Sequence, residues 1–210
     1  MEENVAILIA DLSGYTALTE THGASGAADL IDKYLEIVEN CLVGDCRLHE
    51  RTGDEVMLIS SSADYLIATA IMLVQNTSSE ENFLQLHGGL HYGKVLKRND
   101  NYFGTVINLT SRIAAKANPG TFWCSKEYVD ALINRPAFTF QSRGKHSFKN
   151  ISKENEVFEL VINNPKSFPI DPVCRMLINE KENAIPHPTG HNIFFCSRDC
   201  LDIYIRNKVD

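Results

Sequence analysis

The sequence has no uninterrupted apolar segment approaching the roughly 20 residues that a membrane-spanning helix needs, so no membrane partner is expected. It is also short of positive charge. Twenty Lys and Arg stand against 27 Asp and Glu, giving a net charge of −7. That balance leaves no surplus for a basic face, and nucleic acid is not expected as a partner. The opening MEENVAILIADLSG lacks the basic region and cleavage pattern of a secretory leader, and a cytoplasmic location is expected. Internal repeats, low-complexity tracts and blocks of like charge are absent as well. In a reducing compartment the six cysteines are not expected to form a disulfide framework, so their spacing has to be read for thiol or metal chemistry. What is present is a 210-residue chain with 44% hydrophobic content, enough for one good core and one further small module.

Residues 4–12 are a buried-strand run of Val, Ile, Leu and Ala that breaks at Ser13-Gly14, which puts Asp11 at the strand's C-terminal end. Helical spacing of apolar residues predicts a helix over 27–42, with Ser25 as N-cap and Gly44 past its end. Residues 48–60, LHERTGDEVMLIS, read as a hairpin whose turn is Gly53-Asp54. A helix over 63–75 follows, then a strand over 83–96 whose internal Gly88-Gly89 pair marks a bulge or a close backbone approach. Residues 99–103 are turn-like. A helix over 105–117 places Val106, Leu109 and Ile113 on one face, while Asn108 and Arg112, four apart, project together from another. A strand at 121–124, a short helix at 126–133 and strands at 138–142 and 157–161 complete an α+β pattern with helices on one side of a mostly antiparallel sheet. The Pro-rich, polar residues 164–169 read as a linker between a first domain, 1–163, and a module at 170–210.

ILIADLSGYTALTETHG, RTGDEVMLIS and LHGGLHYGKVLKRNDNYFGTVINLTSRIAAKANPGTFWCS resemble, in order and spacing, the catalytic domain of class III nucleotidyl cyclases. The resemblance covers about residues 4–162. It implies a ferredoxin-like α+β domain acting as a head-to-tail homodimer on a nucleoside triphosphate. It further implies that Asp11 and Asp54 hold two Mg²⁺ or Mn²⁺ ions, that Asn108 orients the ribose and that Arg112 meets the transition state. Taken singly, a strand-end Asp, a turn Asp, a helix Asn and a helix Arg all have ordinary explanations. The four together at these separations do not.

The chemistry asks for the same residue types. Closing a cyclic phosphodiester needs hard cations held by carboxylates to activate a ribose hydroxyl and clamp a triphosphate. A guanidinium suits charge on phosphoryl oxygens, and an amide suits a neutral sugar oxygen. Ser13, Gly14, Tyr15 and Thr16, after the first strand, can turn backbone N–H groups toward phosphate if a helix starts there. Lys149 is matched to a triphosphate-contacting lysine of the family.

Two positions bear on the base. Adenine-selective members carry a lysine four residues before the second aspartate and an aspartate or threonine seven before the asparagine, where this sequence has Glu50 and Asn101. Assigning Arg51 to the lysine role requires a one-residue slip that turns the side chain to the other face. A carboxylate only accepts hydrogen bonds, which suits the N1–H and N2 donors of guanine, and the Asn101 amide can donate to O6. GTP is therefore expected over ATP. A catalytically inactive, metal-sensing or nucleotide-binding regulator on the same scaffold is the alternative.

Cys41, Cys46 and Cys124 lie in segments that read as core. Asp171-Pro172-Val173-Cys174 followed by HPTGHNIFFCSRDCLDIY instead resembles the YHS domain and the related TRASH-type metal-sensing motif. That resemblance implies that Cys174, Cys196 and Cys200 form a three-thiolate site that favours Zn²⁺ or Cu⁺, with His191, His187 or Asp171 as an open choice for the fourth ligand, whereas a hairpin-helix packed by Phe194, Phe195 and Tyr204 with reduced thiols and no metal is the alternative. The sequence departs from that motif at Arg175, where a glycine is usual.

Overall fold

A computed structural model describes residues 1–162, 168–179, 182–190 and 192–207, so residues 164–167 of the expected linker and His191 lie outside the described residues. The first strand, β1 (Glu2–Ser13), buries Val5 to Ala10 almost completely, as its unbroken aliphatic run requires. It pairs antiparallel with β3 (Glu55–Ser60) in the register Ala6↔Ser60 to Ala10↔Val56, and β2 (Arg47–Thr52) closes the hairpin onto β3. With β4 (Gln85–Arg98) the strand order is β2-β3-β1-β4, and it continues as β6 (Phe122–Ser125), β8 (Asn155–Leu160) and β7 (Phe140–His146). The first four strands thus have the ferredoxin-like order. Pairing is parallel between β4 and β6 and antiparallel between β6 and β8 and between β7 and β8.

The helices differ from expectation mainly at one end. The first, α1 (Tyr15–Cys41), begins twelve residues before the predicted start at 27 and contains a break at Gly23, whose φ of 76° and ψ of 174° are not helical. The apolar periodicity that defines its second stretch is weak in TETHGASG, which hides the first. α2 (Ala63–Ser79), α3 (Thr105–Ala114) and α4 (Lys126–Ala131) lie where the periodicity puts them. Residues 101–103, expected to be turn-like, form β5 (Asn101–Phe103), because they fold back onto β4 in the register Leu96↔Phe103. Near the C-terminus a two-stranded ladder, β9 (Ile185–Pro186) with β10 (Phe194–Phe195), precedes α5 (Arg198–Asn207). Among the described residues no helix is long and apolar enough to cross a membrane.

The chain gathers into two compact units. One holds Met1–Asp11, Val38–Leu73 and Leu86–Asn163, with a core in which Ile7, Ile9, Met57, Ile59, Val95 and Val106 meet. The other holds Leu12–Ile37, Val74–Gln85 and Asn164–Asp210, and its C-terminal core is Cys174, Phe195, Cys200 and Leu201. Cys41, Cys46 and Cys124 are buried free thiols, as core residues should be.

Candidate active site

Asp11 lies at the end of β1, and Asp54 lies in the β2–β3 turn, where Gly53 takes the left-handed φ of 64°. Burial pushes the Asp54 carboxyl up to about 6, and the Asp11 charge beside it adds to the rise. Two carboxylates in contact repel one another, and Asp54 is partly withdrawn from water as well. His87 Nε2 lies 3.9 Å from Asp11 Oδ2, but burial lowers the imidazole pKa, so it is a poor counter-ion at neutral pH. Hard carboxylate oxygens brought together at a strand end and a turn are the donor type that Mg²⁺ or Mn²⁺ takes.

The third strand-helix unit sets up the other residues. A Cβ at Gly89 on β4 would lie 2.5 Å from the Ala114 nitrogen and 2.6 Å from the Thr110 carbonyl oxygen, so the bare glycine lets the α3 backbone lie directly on the strand. This is the close approach the glycine pair implied. Val106, Leu109, Thr110 and Ile113 are buried, which leaves Asn108 and Arg112 exposed one turn apart. Phe148 and Ile151 pack against the cluster that contains Leu109 and Ile113, which sets the exposed Lys149 on a turn beside α3.

A groove of about 200 Å³ brings Glu50 and Asn108 together, with Ile9, Met57, Glu55 and Ser111 among its lining residues. Glu50 pairs with Met57, and the ladder irregularity falls before it, between Leu48 and Glu50. Glu50 and Thr52 therefore share a face with Glu55 and Met57, whereas Arg51 opposes Val56. Asn101 is held differently. It is exposed on β5, its amide donates to the Asn99 carbonyl at 3.1 Å, and it is not among the groove-lining residues. Sequence reasoning missed Glu55, whose carboxyl is pushed up by burial and by the charges of Asp54 and Glu50. Its place two residues before Met57, on the face opposite Val56, was the available signal.

Within the second unit, Ser13 ends β1 and Gly14, at φ 100°, turns the chain into α1, where Leu18 N–H donates to Gly14 O at 3.0 Å. The helix does start at Tyr15, so N–H groups at Tyr15 and Thr16 belong to its open first turn. Gly14 is pressed by Arg175. A Cβ added there would lie 2.5 Å from Arg175 Cβ, and Arg175 itself has φ 69°, a left-handed value that explains why a glycine suits that position.

The three C-terminal thiols do meet. Cys174 Sγ is 3.4 Å from Cys196 Sγ, which is 3.6 Å from Cys200 Sγ. Hydrogen bonds from Cys174 and then Cys196 hold Cys200 well below the usual thiol range. Of the candidates for a fourth ligand, Asp171 is engaged with backbone N–H groups. The fully buried carboxylate accepts from the N–H groups of Val173 and Cys174 at 2.7 and 3.2 Å and from that of Cys196 at 2.8 Å, so it orients the cysteine loops. His187 hydrogen-bonds Thr189 at 2.8 Å and packs on Phe195 and Tyr204. Among the described residues, the one that joins the thiols is His22 of α1. Its Nε2 is 3.8 Å from both Cys196 Sγ and Cys200 Sγ, and the four donor atoms all lie within 4.8 Å of one another.

Residues 1–162 match the family described as Adenylate and Guanylate cyclase catalytic domain. An uncharacterized protein of Mycobacterium tuberculosis is 35% identical over 152 residues, 72% of this chain and 39% of its own length. A pH-sensitive adenylate cyclase of the same species is 25% identical over 159 residues, 74% of this chain and 40% of its own. This chain thus spans about two fifths of those relatives. The fold is similar to that of an adenylate cyclase from Trypanosoma brucei in its monomeric state, with a TM-score of 0.72 at 16% identity, covering 85% of this chain and 94% of that one. A family match across more than three quarters of the sequence means that the chain belongs to the adenylate and guanylate cyclase catalytic-domain family.

Proposed function

We propose that the protein is a nucleotidyl cyclase that converts a nucleoside triphosphate, GTP in preference to ATP, to a 3′,5′-cyclic nucleotide and pyrophosphate at the interface of a homodimer. The observation that carries the base preference is the shared groove of Glu50 and Asn108. An amide that holds the ribose and a carboxylate that accepts from the base belong at opposite ends of one nucleoside. Guanine presents N1–H and N2–H donors there. Adenine presents an unprotonated N1.

In the reaction the ribose 3′ oxygen loses its proton to solvent, forms a bond to the α-phosphorus, and the bond from that phosphorus to the pyrophosphate oxygen breaks. Asp11 and Asp54 would hold two Mg²⁺ or Mn²⁺ ions, which supply Lewis acidity to the attacking and leaving oxygens when bound. Arg112, fixed on a packed helix yet exposed, meets the charge that grows on the α-phosphoryl oxygens. Asn108 orients the ribose, one turn away. The N–H groups of the turn formed by Ser13, Gly14, Tyr15 and Thr16 receive phosphate oxygens at a helix start, with Lys149 as a further triphosphate contact. Asp11 and Asp54 of one chain face Asn108 and Arg112 of the partner chain in the head-to-tail dimer, so a lone chain has no complete site. A thiophilic cation, Zn²⁺ or Cu⁺, on Cys174, Cys196 and Cys200 tunes activity or stability.

The test is turnover by the purified chain with GTP or ATP and Mg²⁺ or Mn²⁺, read as cyclic nucleotide by chromatography. Cyclic GMP exceeding cyclic AMP is expected. A folded dimer that makes neither product in any pairing sinks the proposal and favours a non-catalytic regulator.

A further inference from the structure

We infer that His22 completes a closed Cys₃His site with Cys174, Cys196 and Cys200, so that one zinc-like cation ties the C-terminal segment to the first stretch of α1. This rests on the cyclase reading only for its consequence, since that stretch follows directly on the proposed phosphate turn.

Four of the six donor–donor edges fit a tetrahedral cage, and the other two are no longer than 4.8 Å. Zinc at about 2.3 Å from thiolate sulfur and about 2.0–2.1 Å from imidazole nitrogen sets S···S edges near 3.8 Å and S···N edges near 3.6 Å. The sulfur edges are 3.4 and 3.6 Å and the S···N edges from Cys196 and Cys200 are both 3.8 Å. A disulfide needs sulfurs at about 2.05 Å, so these are separate thiols converging on one point. The imidazole that aims at them comes from α1, more than 150 residues away in sequence. Cys174 and Cys200 are buried, while Cys196 and His22 are half-buried, so the cage is largely shielded from water.

Each ligand is independently positioned. The Asp171 carboxylate binds the backbone beside Cys174 and at Cys196. Ser197 Oγ accepts from Cys200 N–H at 3.2 Å at the start of α5. His22 is the last residue before the break at Gly23, so the helix that carries it ends there and is free of the register of the longer stretch beyond. With four protein ligands the site has no open position, which marks it as structural rather than as one that hands metal on. Arg175, next to Cys174, presses on Gly14, so the cation would brace the turn from two directions, through His22 and through Arg175.

The test uses the full chain without nucleotide. Metal content is read after purification and after chelation and zinc return, and Co²⁺ replaces zinc for absorption spectroscopy. One tightly held ion per chain with intense tetrahedral cobalt bands and thiolate charge transfer is expected. Octahedral Co²⁺ on Asp11 and Asp54 would absorb only weakly, so the two sites separate. His22→Ala should weaken binding by at least the roughly 10- to 100-fold that loss of an outer partner typically costs. His22→Cys should keep the tetrahedral spectrum with added charge-transfer intensity, which controls for folding. Hydrogen exchange over residues 15–22 should slow when the ion binds, and His22→Ala should abolish that difference. An ion-free wild type, a His22→Ala protein with unchanged affinity and spectrum, or exchange indifferent to the ion overturns the assignment. A chain that holds the ion but makes no cyclic nucleotide leaves it standing, and an ion-free chain that cyclises nucleotide defeats it while sparing the cyclase reading.

Discussion

Glu50 and Asn108 reach one groove from different elements, a hairpin strand and a helix, and that meeting makes base selectivity a single-residue question. Glu50→Lys replaces an acceptor with a donor where guanine offers N1–H. A hydrogen bond to a charged group is worth about 1.5–3 kcal/mol, so the ratio of kcat/KM for GTP to that for ATP should fall by roughly 10- to 100-fold. Initial rates with both nucleotides and Mn²⁺ read this directly, and an unchanged ratio would remove Glu50 from base recognition. Asp11, Asp54, Asn108 and Arg112 were legible as positions, because each sits at a strand end, a turn or a fixed helical spacing, and Glu50, inside β2, was legible only by its spacing four residues before Asp54. His22 was not. A lone histidine 152 residues before Cys174, in a stretch with weak helical periodicity, carries no spacing signal toward the thiols, and only the fold brings it there. Asn101 carries one hydrogen bond to the Asn99 carbonyl, which leaves its second amide N–H for the guanine O6 contact its identity suggested.

At the scale of elements, the site depends on α3 lying against β4 at Gly89. Gly89→Ala would place a methyl carbon 2.5 Å from the Ala114 nitrogen and 2.6 Å from the Thr110 oxygen, both backbone atoms that no side-chain rotation relieves. Overpacking of this kind costs about 1–3 kcal/mol, and each kcal/mol lowers Tm by about 2–4 °C in a chain of this size. The same shift moves Asn108 and Arg112, so activity should fall further than stability alone explains. Calorimetry alongside rates at a temperature where the variant is folded checks this, and an unchanged Tm would mean that α3 does not rest on that glycine. The glycine pair was readable as a close approach, and the hairpin was readable because Gly53 and the alternation around it leave few options. The first stretch of α1 and β5 were not readable, since one lacks an apolar stripe and the other exists only through its ladder with β4.

At the scale of the whole molecule, composition marked the Pro-rich residues near 164–169 as a boundary but could not say what the segment after them bonds to. Leu177 N–H donates to Phe83 O at 2.7 Å, and the Asn179 amide donates to the carbonyls of Ser78 and Glu80 at 2.9 and 2.6 Å. Those long-range bonds join Leu177 and Asn179 to the end of α2 and the residues just after it, and pairings more than 90 residues apart leave no local trace. The proposed assembly extends the same logic beyond one chain. If the acids of one subunit act with the Asn–Arg pair of the other, an Asp54→Asn chain and an Arg112→Ala chain are each inactive alone but complement each other when mixed. Random pairing makes half of the dimers mixed, and each mixed dimer holds one intact site and one doubly damaged one. An equimolar mixture should therefore recover about a quarter of wild-type activity per dimer, after a lag set by subunit exchange. Rates measured against mixing ratio, with sedimentation to confirm exchange, test this. Subunits that exchange freely without any recovery would place all four residues in one chain's site and end the head-to-tail proposal, whereas full activity from either variant alone would remove its residue from the chemistry.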